Sequence, residues 1–311
     1  MTSARLPAQV TVYEVGPRDG LQNVATMVGV DVKVRFVEAL AAAGLTAVEA
    51  GAFVNPRSVP QMAATDAVYA QLHRRPGVRY PALVPNEKGL DAALAVGVNE
   101  IAVFTAASET FNQRNINASI AESLARFAPV VRRARAAGLR VRGYVSTGFG
   151  CPYEGWIEPL AVHRVARDLV ALGVQEVSLG DTIGAGVPTQ VEDVAGPLLE
   201  EFGPASIALH FHDTRGTALA NVLAAMQLGA LIFDSTAGGL GGCPYAPGAA
   251  GNLATEDLVY MLHGMGIRTG IDLDRLVDAS LVAEAALGAP LPSRTLRAVL
   301  AARRREASAG S

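Results

Sequence analysis

Short apolar runs alternate with longer stretches of helical periodicity along almost the whole chain. Runs at residues 10–15, 47–50, 79–84, 100–104, 140–145, 176–179, 207–211 and 231–234 are rich in Val, Ile and aromatic side chains. Several are apolar throughout, as strands buried on both faces are. Amphipathic segments lie between them. Asp31 is placed to cap one in which Val34, Val37 and Ala41 share a face, ending near Gly44. Ser119 and Glu122 form a candidate capping box ahead of Leu124, Phe127 and Val131, and Pro129 inside that pattern predicts a kink or a split. Gly44, Gly138 and Gly173 read as C-caps leading into the next strand. Eight strands, each followed by a helix, predict an α/β protein with a (β/α)8 TIM barrel. A doubly wound open sheet is the alternative. No break in composition marks a linker, so one domain is expected: a barrel over about residues 10–270, a helical C-terminal extension over about 271–302, and a frayed tail at 303–311.

Composition narrows the class of protein. Of the 311 residues, 50% are hydrophobic and 18% charged, which suits a compact globular chain. The net charge of −3 offers no electrostatic footing for nucleic acid or an acidic membrane surface. No apolar run approaches the ~20 residues that span a bilayer. Residues 1–9 lack the apolar core of a secretory signal, so a cytoplasmic protein is expected. Two cysteines, Cys151 and Cys243, are too few for a disulfide framework.

Active sites of such barrels form where strands end and βα loops begin. Polar residues stand at those positions repeatedly: Arg18, Asp19 and Gln22 after the first run, Glu49 in the second, Ser178 and Asp181 around the sixth, His210 and His212 in and just after the seventh. Residues i and i+2 of a strand point to one face, so both imidazoles enter the barrel mouth together. A divalent metal gives two such imidazoles a common purpose. The competing reading is a hydrogen-bonded pair of core histidines. The other three histidines, His73, His163 and His263, lie in helical patterns and read as surface or packing residues. With a carboxylate such as Asp19 and an amide oxygen, the set favours magnesium or manganese over a structural zinc. Arg18 at a strand end is suited to a developing oxyanion. The glycine-rich stretch 238–252 lacks the ending of a phosphate loop and reads as a flap over the barrel mouth, with Cys243 as a thiol for proton transfer.

At these residues the chain resembles the 3-hydroxy-3-methylglutaryl-CoA lyase family, within the barrel metallolyases that carry a DRE-type fingerprint. The likeness rests on EVGPRDGLQ at 14–22, VPQM at 59–62, RGYV at 142–145, CPYEG at 151–155, SLGDTIG at 178–184, HFHDT at 210–214, GLGGCPY at 239–245 and GNLATED at 251–257. It implies a divalent-metal-dependent cleavage of 3-hydroxy-3-methylglutaryl-CoA to acetyl-CoA and acetoacetate, by a homodimer acting on an acyl-CoA substrate. Asp19, His210, His212 and Asn252 would be metal ligands, with Mg2+ or Mn2+ as the cofactor. Arg18 would face the thioester carbonyl, Cys243 would move a proton, and Asp181 and Glu49 would be carboxylates near substrate. Gln22, Ser178 and Glu256 are expected at the substrate or behind the ligand shell, Glu256 as its supporting carboxylate. One departure is Ala52, where the family often carries a small polar residue, which points to altered CoA contacts or acyl preference. The absence of a peroxisomal tripeptide and of a transit peptide fits a bacterial-type cytoplasmic form. The alternatives are a sister lyase for a longer-chain 3-hydroxyglutaryl-CoA, a condensing synthase, a zinc hydrolase and a non-catalytic metal-binding barrel.

Overall fold

A computed structural model of the chain describes residues 6–241 and 251–309. Its strands are β1 (Thr11–Glu14), β2 (Gly51–Ala52), β3 (Ala82–Leu83), β4 (Glu100–Ala106), β5 (Arg140–Ser146), β6 (Glu176–Gly180), β7 (Ile207–His210) and β8 (Ile232–Ser235). Its helices are α1 (Val30–Ala42), α2 (Thr65–Gln71), α3 (Glu87–Ala95), α4 (Glu109–Ile116), α5 (Ile120–Ala136), α6 (Pro159–Ala171), α7 (Pro188–Phe202), α8 (Ala218–Gln227), α9 (Thr255–Gly264), α10 (Leu273–Leu287) and α11 (Arg294–Ala309). All strand pairs are parallel, in the order β1-β8-β7-β6-β5-β4-β3-β2. The circle closes where the Glu14 amide donates to Ala47 O at 3.0 Å and the Glu49 amide to Glu14 O at 2.8 Å. This is the expected TIM barrel. The run at 47–50 joins the ladder through isolated bridges at Ala47 and Val48, and regular pairing starts at Gly51.

Residue alternation sorts each strand into an outer and an inner face. On β7 and just beyond it, Leu209 and Phe211 enter the main core between sheet and helices, whereas Ala208 packs inside the barrel with Tyr13, Val15, Ala47 and Ile232. His210 and His212 share the inner phase of Ala208. β5 carries Arg140, Arg142 and Tyr144 on alternate positions, beside Glu176 and Ser178 of β6 and Asp234 of β8. The barrel is therefore lined by charge as well as by apolar groups.

Three local expectations change. Asp31 does not cap α1: the helix starts at Val30 with Gly29 at the cap, leaving Asp31 in the first turn, where its charge suits the positive helix end. The Ser119–Glu122 capping box forms. Helix α5 runs unbroken through Pro129, with Phe127, Val130 and Val131 buried on its inner face. The helix of the C-terminal extension runs on to Ala309 rather than fraying at 303, because Arg303 bonds the carboxylates of Asp274 and Asp278 on α10. Just before α11, the Ser293 amide donates to Gly238 O at 3.0 Å, tying the extension to the loop after β8.

Candidate metal and active site

After β1 the backbone folds into one wide turn, Gly16–Gly20, in which Val15 O accepts the amides of Arg18, Asp19 and Gly20. The turn aims Arg18 and Asp19 into the barrel mouth. Arg18 donates to Asp19 Oδ1 at 2.6 Å and lies 2.7 Å from Glu49 Oε2, while its guanidinium sits 5.1 Å from the centre of the Tyr144 ring. Tyr144 donates its hydroxyl to the same Glu49 oxygen at 2.9 Å. Burial works against the charge of Arg18, yet Glu49 and Asp19 hold it firmly protonated. For Glu49 burial prevails over Arg18 and raises its carboxyl above the ordinary range.

Asp19, His210 and His212 each offer a ligand atom, all within 4.8 Å of one another. Asn252 joins them: its Nδ2 donates to Asp19 Oδ2 at 3.0 Å and to Leu240 O at 3.1 Å. Gly241 makes that approach possible, since a Cβ there would lie 2.6 Å from the Asn252 amide, and its φ of +93° favours glycine in any case. Burial raises the Asp19 carboxyl, but Arg18 and then His210 and His212 outweigh it, so it is held below the usual range. Burial and the neighbouring His210 push the His212 imidazole down to about 3. It is neutral at physiological pH, the form a metal requires.

The donor set fits a divalent ion, because some of its buried polar atoms lack a protein partner. His212 Nδ1 and Asn252 Oδ1 are two of them. Buried polar atoms are paired in the great majority of cases, so two lone ones beside a carboxylate and a second imidazole fit a cation. The N/O donors suit magnesium or manganese.

Behind His210 stands a residue that sequence reasoning missed. Asp234, at the end of β8 and in register with His210, places Oδ2 3.2 Å from His210 Nδ1 and receives the Ser178 hydroxyl at 2.8 Å. Arg142 donates to its other oxygen at 2.5 Å. Burial lowers the His210 pKa, but the bond to Asp234 prevails and raises it. The signal was present: Asp234 is a carboxylate at the C-terminal end of a barrel strand, the same rule that singled out Asp19.

These groups open into a cavity of about 660 Å³. Its lining includes Arg18, Asp19, Gln22, Ser178, His210, His212 and Asn252, together with the apolar side chains of Leu83, Phe104, Phe111 and Ile116 and the amides of Asn86 and Asn115. Gln22 donates to Asp19 Oδ1 at 3.2 Å. Three expected site residues, Glu49, Asp181 and Glu256, do not line the cavity, and neither does Ala52; Glu49 stands behind Arg18 and Tyr144. Asp181 does not line the cavity, because its two oxygens accept the amides of Ala185 and Gly186 and shape the loop after β6. Glu256 touches none of the four candidate ligands; it grips the Gly238 amide at 2.9 Å and the Ser280 hydroxyl, and so anchors the root of the loop after β8. Ala52 is buried in the core and gives its amide to Thr65 Oγ1 at 3.2 Å, while Val54 and Asn55 reach the cavity instead. Cys151 is buried with its sulfur 3.1 Å from Ser108 Oγ and packs away from the cavity. Cys243 lies outside the described residues.

Fold and site together define a TIM-barrel enzyme arranged around a candidate divalent-metal centre. Residues 9–282 match the HMGL-like family. The chain is 54% identical over 273 residues to the mitochondrial hydroxymethylglutaryl-CoA lyase of Bos taurus, covering 88% of this chain and 84% of that one. It is 52% identical over 296 residues to the 3-hydroxy-3-isohexenylglutaryl-CoA/hydroxy-methylglutaryl-CoA lyase of Pseudomonas aeruginosa, covering 95% and 99%. The crystal structure of hydroxymethylglutaryl-CoA lyase from Pseudomonas aeruginosa superposes with a TM-score of 0.93 at 52% identity, covering 95% of this chain and 99% of that one. An Acinetobacter baumannii HMG-CoA lyase in complex with coenzyme A and 3-methylmalate gives 0.89 at 40% identity, covering 94% and 95%. The carboxyl transferase domain of Rhizobium etli pyruvate carboxylase, at 16% identity and a TM-score of 0.64, shares the fold alone; it covers 90% of this chain and 47% of that one. The chain belongs to the HMGL-like family, among the hydroxymethylglutaryl-CoA lyases.

Proposed function

We propose that this chain cleaves 3-hydroxy-3-methylglutaryl-CoA to acetyl-CoA and acetoacetate with a divalent ion, Mg2+ or Mn2+, held by Asp19, His210, His212 and Asn252. The observation that carries this reading is the convergence of those four residues, two of them with lone buried donor atoms, beside a buried arginine in the barrel mouth. A bound divalent ion would supply Lewis acidity toward substrate oxygens. The chain's own residues do the rest. The hydroxyl proton leaves toward the Asp19 carboxylate as the C2–C3 bond breaks, and the hydroxyl carbon becomes the ketone of acetoacetate. The bonding pair passes to C2 and its thioester carbonyl. Arg18, fixed by Glu49 and stacked on Tyr144, stabilises that enolate, as preorganised charge in a sheltered site does. Cys243 then protonates C2, giving acetyl-CoA.

An acetoacetate assay tests the reading. Turnover with added Mg2+ or Mn2+ that a chelator abolishes is expected; turnover unchanged by chelator sinks it. Cys243→Ser should lose at least about a hundredfold in kcat, the low end for general acid catalysis. A second reading, a longer substituent at C3, is supported by the apolar lining residues Leu83, Phe104, Phe111 and Ile116 and by the double name of the Pseudomonas aeruginosa relative. Comparing kcat/KM for methyl- and isohexenyl-substituted glutaryl-CoA decides between them. None of the described helices is long and apolar enough to cross a membrane. The proposal includes a homodimer in the cytoplasm, supported by family likeness; a sedimentation mass of one chain would remove the dimer.

A further inference from the structure

Arg142 is fully buried, yet it is absent from the cavity lining, and nothing in the proposed reaction uses it. Its position is unusual in that it reaches both halves of the site. Nη2 binds Asp234 at 2.5 Å, and the other oxygen of Asp234 receives His210 Nδ1 and the Ser178 hydroxyl. Its guanidinium centre lies 3.8 Å from the Tyr13 ring and 5.0 Å from the Tyr144 ring. Tyr144 in turn carries Arg18 on its ring and Glu49 on its hydroxyl. Nη1 lies 3.2 Å from Glu176, which Arg140 also holds at 2.8 Å.

A planar fork is what this position demands. A guanidinium can pair with a carboxylate in its plane while its faces contact aromatic rings, whereas an ammonium is a point charge that does only the first well. Burying such a cation is costly unless its partners are fixed, so the arrangement persists only because Asp234, Glu176 and two tyrosines surround it. The hydrogen bond from Arg142 orients Asp234 in return, and its guanidinium over the Tyr144 ring confines that side chain.

We infer that Arg142 is a positioning residue, tying His210 through Asp234 and Arg18 through Tyr144 into one rigid frame. The inference rests on the functional reading above, and the test separates the two. Wild-type protein is titrated with Mn2+ alone by calorimetry; if it binds no ion, the functional reading fails first. Arg142→Met is expected to lower Mn2+ affinity about 10–100-fold, as loss of support behind a ligand does, and to lower kcat with it. Arg142→Lys keeps the pairing with Asp234 but loses the ring contact. It should hold Mn2+ within about threefold of wild type yet lose up to about a hundredfold in kcat, the cost of a small misplacement of a reacting group. Arg79 is the control, because it also sits over the Tyr13 ring, 5.6 Å from its centre, and pairs with Glu100 without lining the cavity. Arg79→Met should leave Mn2+ affinity unchanged. Wild-type affinity and kcat in the folded Arg142 variants would overturn the inference, and so would equal losses in Arg79→Met. If Arg142→Met does not fold, Arg142→Lys alone decides: wild-type kcat refutes the frame, and low kcat with intact Mn2+ binding supports it.

Discussion

Asp19 and Glu256 are carboxylates at the same end of one barrel, close to the same loop, but they face different partners. Asp19 looks onto Arg18, two imidazoles and an amide, and its acidity is strengthened. Glu256 looks onto a backbone amide and a serine hydroxyl, and burial lifts its pKa to about 7. Glu14 matches Glu256: it accepts the amides of Gly16 and Ala237 and the Thr255 hydroxyl, and burial again lifts its pKa to about 7. Among these carboxylates at the barrel mouth, the one with cationic neighbours faces the candidate metal site and those with dipolar neighbours hold the loops in place. Asp234, between Arg142 and His210, belongs with Asp19; Asp181, on two backbone amides, belongs with Glu256.

The contrast predicts a descending series of effects. Asp19→Asn should weaken Mn2+ binding by at least about a hundredfold, beyond what outer partners contribute, and abolish cleavage. Calorimetry that returned wild-type affinity would place the metal elsewhere. Arg18→Gln should cost about 10²–10³ in kcat, the loss typical of a removed oxyanion donor, with Mn2+ affinity nearly intact. A loss confined to KM would assign Arg18 to ground-state binding.

Much of this was legible in the sequence because barrel strands announce their ends. His210 and His212 two apart, and Arg18-Asp19 after the first apolar run, sit where the period of the strand sends them. What stayed hidden depends on which atoms a carboxylate meets. Asp181 and Glu256 lie in motifs as suggestive as that of Asp19, yet their oxygens are taken by amides of Ala185, Gly186 and Gly238. Asp234 met the strand-end rule, and only its partner was hidden: nothing local reveals that His210 stands in register with it on β7. Arg142 was visible only as part of a fingerprint. Its two tyrosines arrive from β1 and from two positions along its own strand.

Glu256→Gln should leave kcat within about threefold of wild type and act on stability instead. A carboxyl whose folded pKa is raised from 4.5 to about 7 stabilises the fold below pH 4.5, and that contribution is lost as pH rises through 7. At one unit per ~1.4 kcal/mol, the swing amounts to roughly 3 kcal/mol. Denaturant midpoints between pH 4.5 and 8 should therefore fall less steeply in the variant than in wild type; parallel curves would show that Glu256 titrates normally. Asp181→Asn should have the smallest effect. Asn retains one acceptor for two amides, so about 1–3 kcal/mol of stability is lost. A large fall in kcat without a fall in stability would return Asp181 to the reaction.

The hydrogen bond from Asn252 to Asp19 joins residues 233 positions apart in the chain. One belongs to the turn after the first strand, and the other stands past the eighth. A nascent chain therefore carries no site at all until nearly all of it has been made, and the site forms in the same event that closes the ring. Bringing such distant ends together costs roughly 5 kcal/mol of loop-closure entropy, and contacts of this range are made late and slowly. Any ion gripped by both ends then acts as a latch on the finished circle: it binds only chains that have closed, and it slows their reopening.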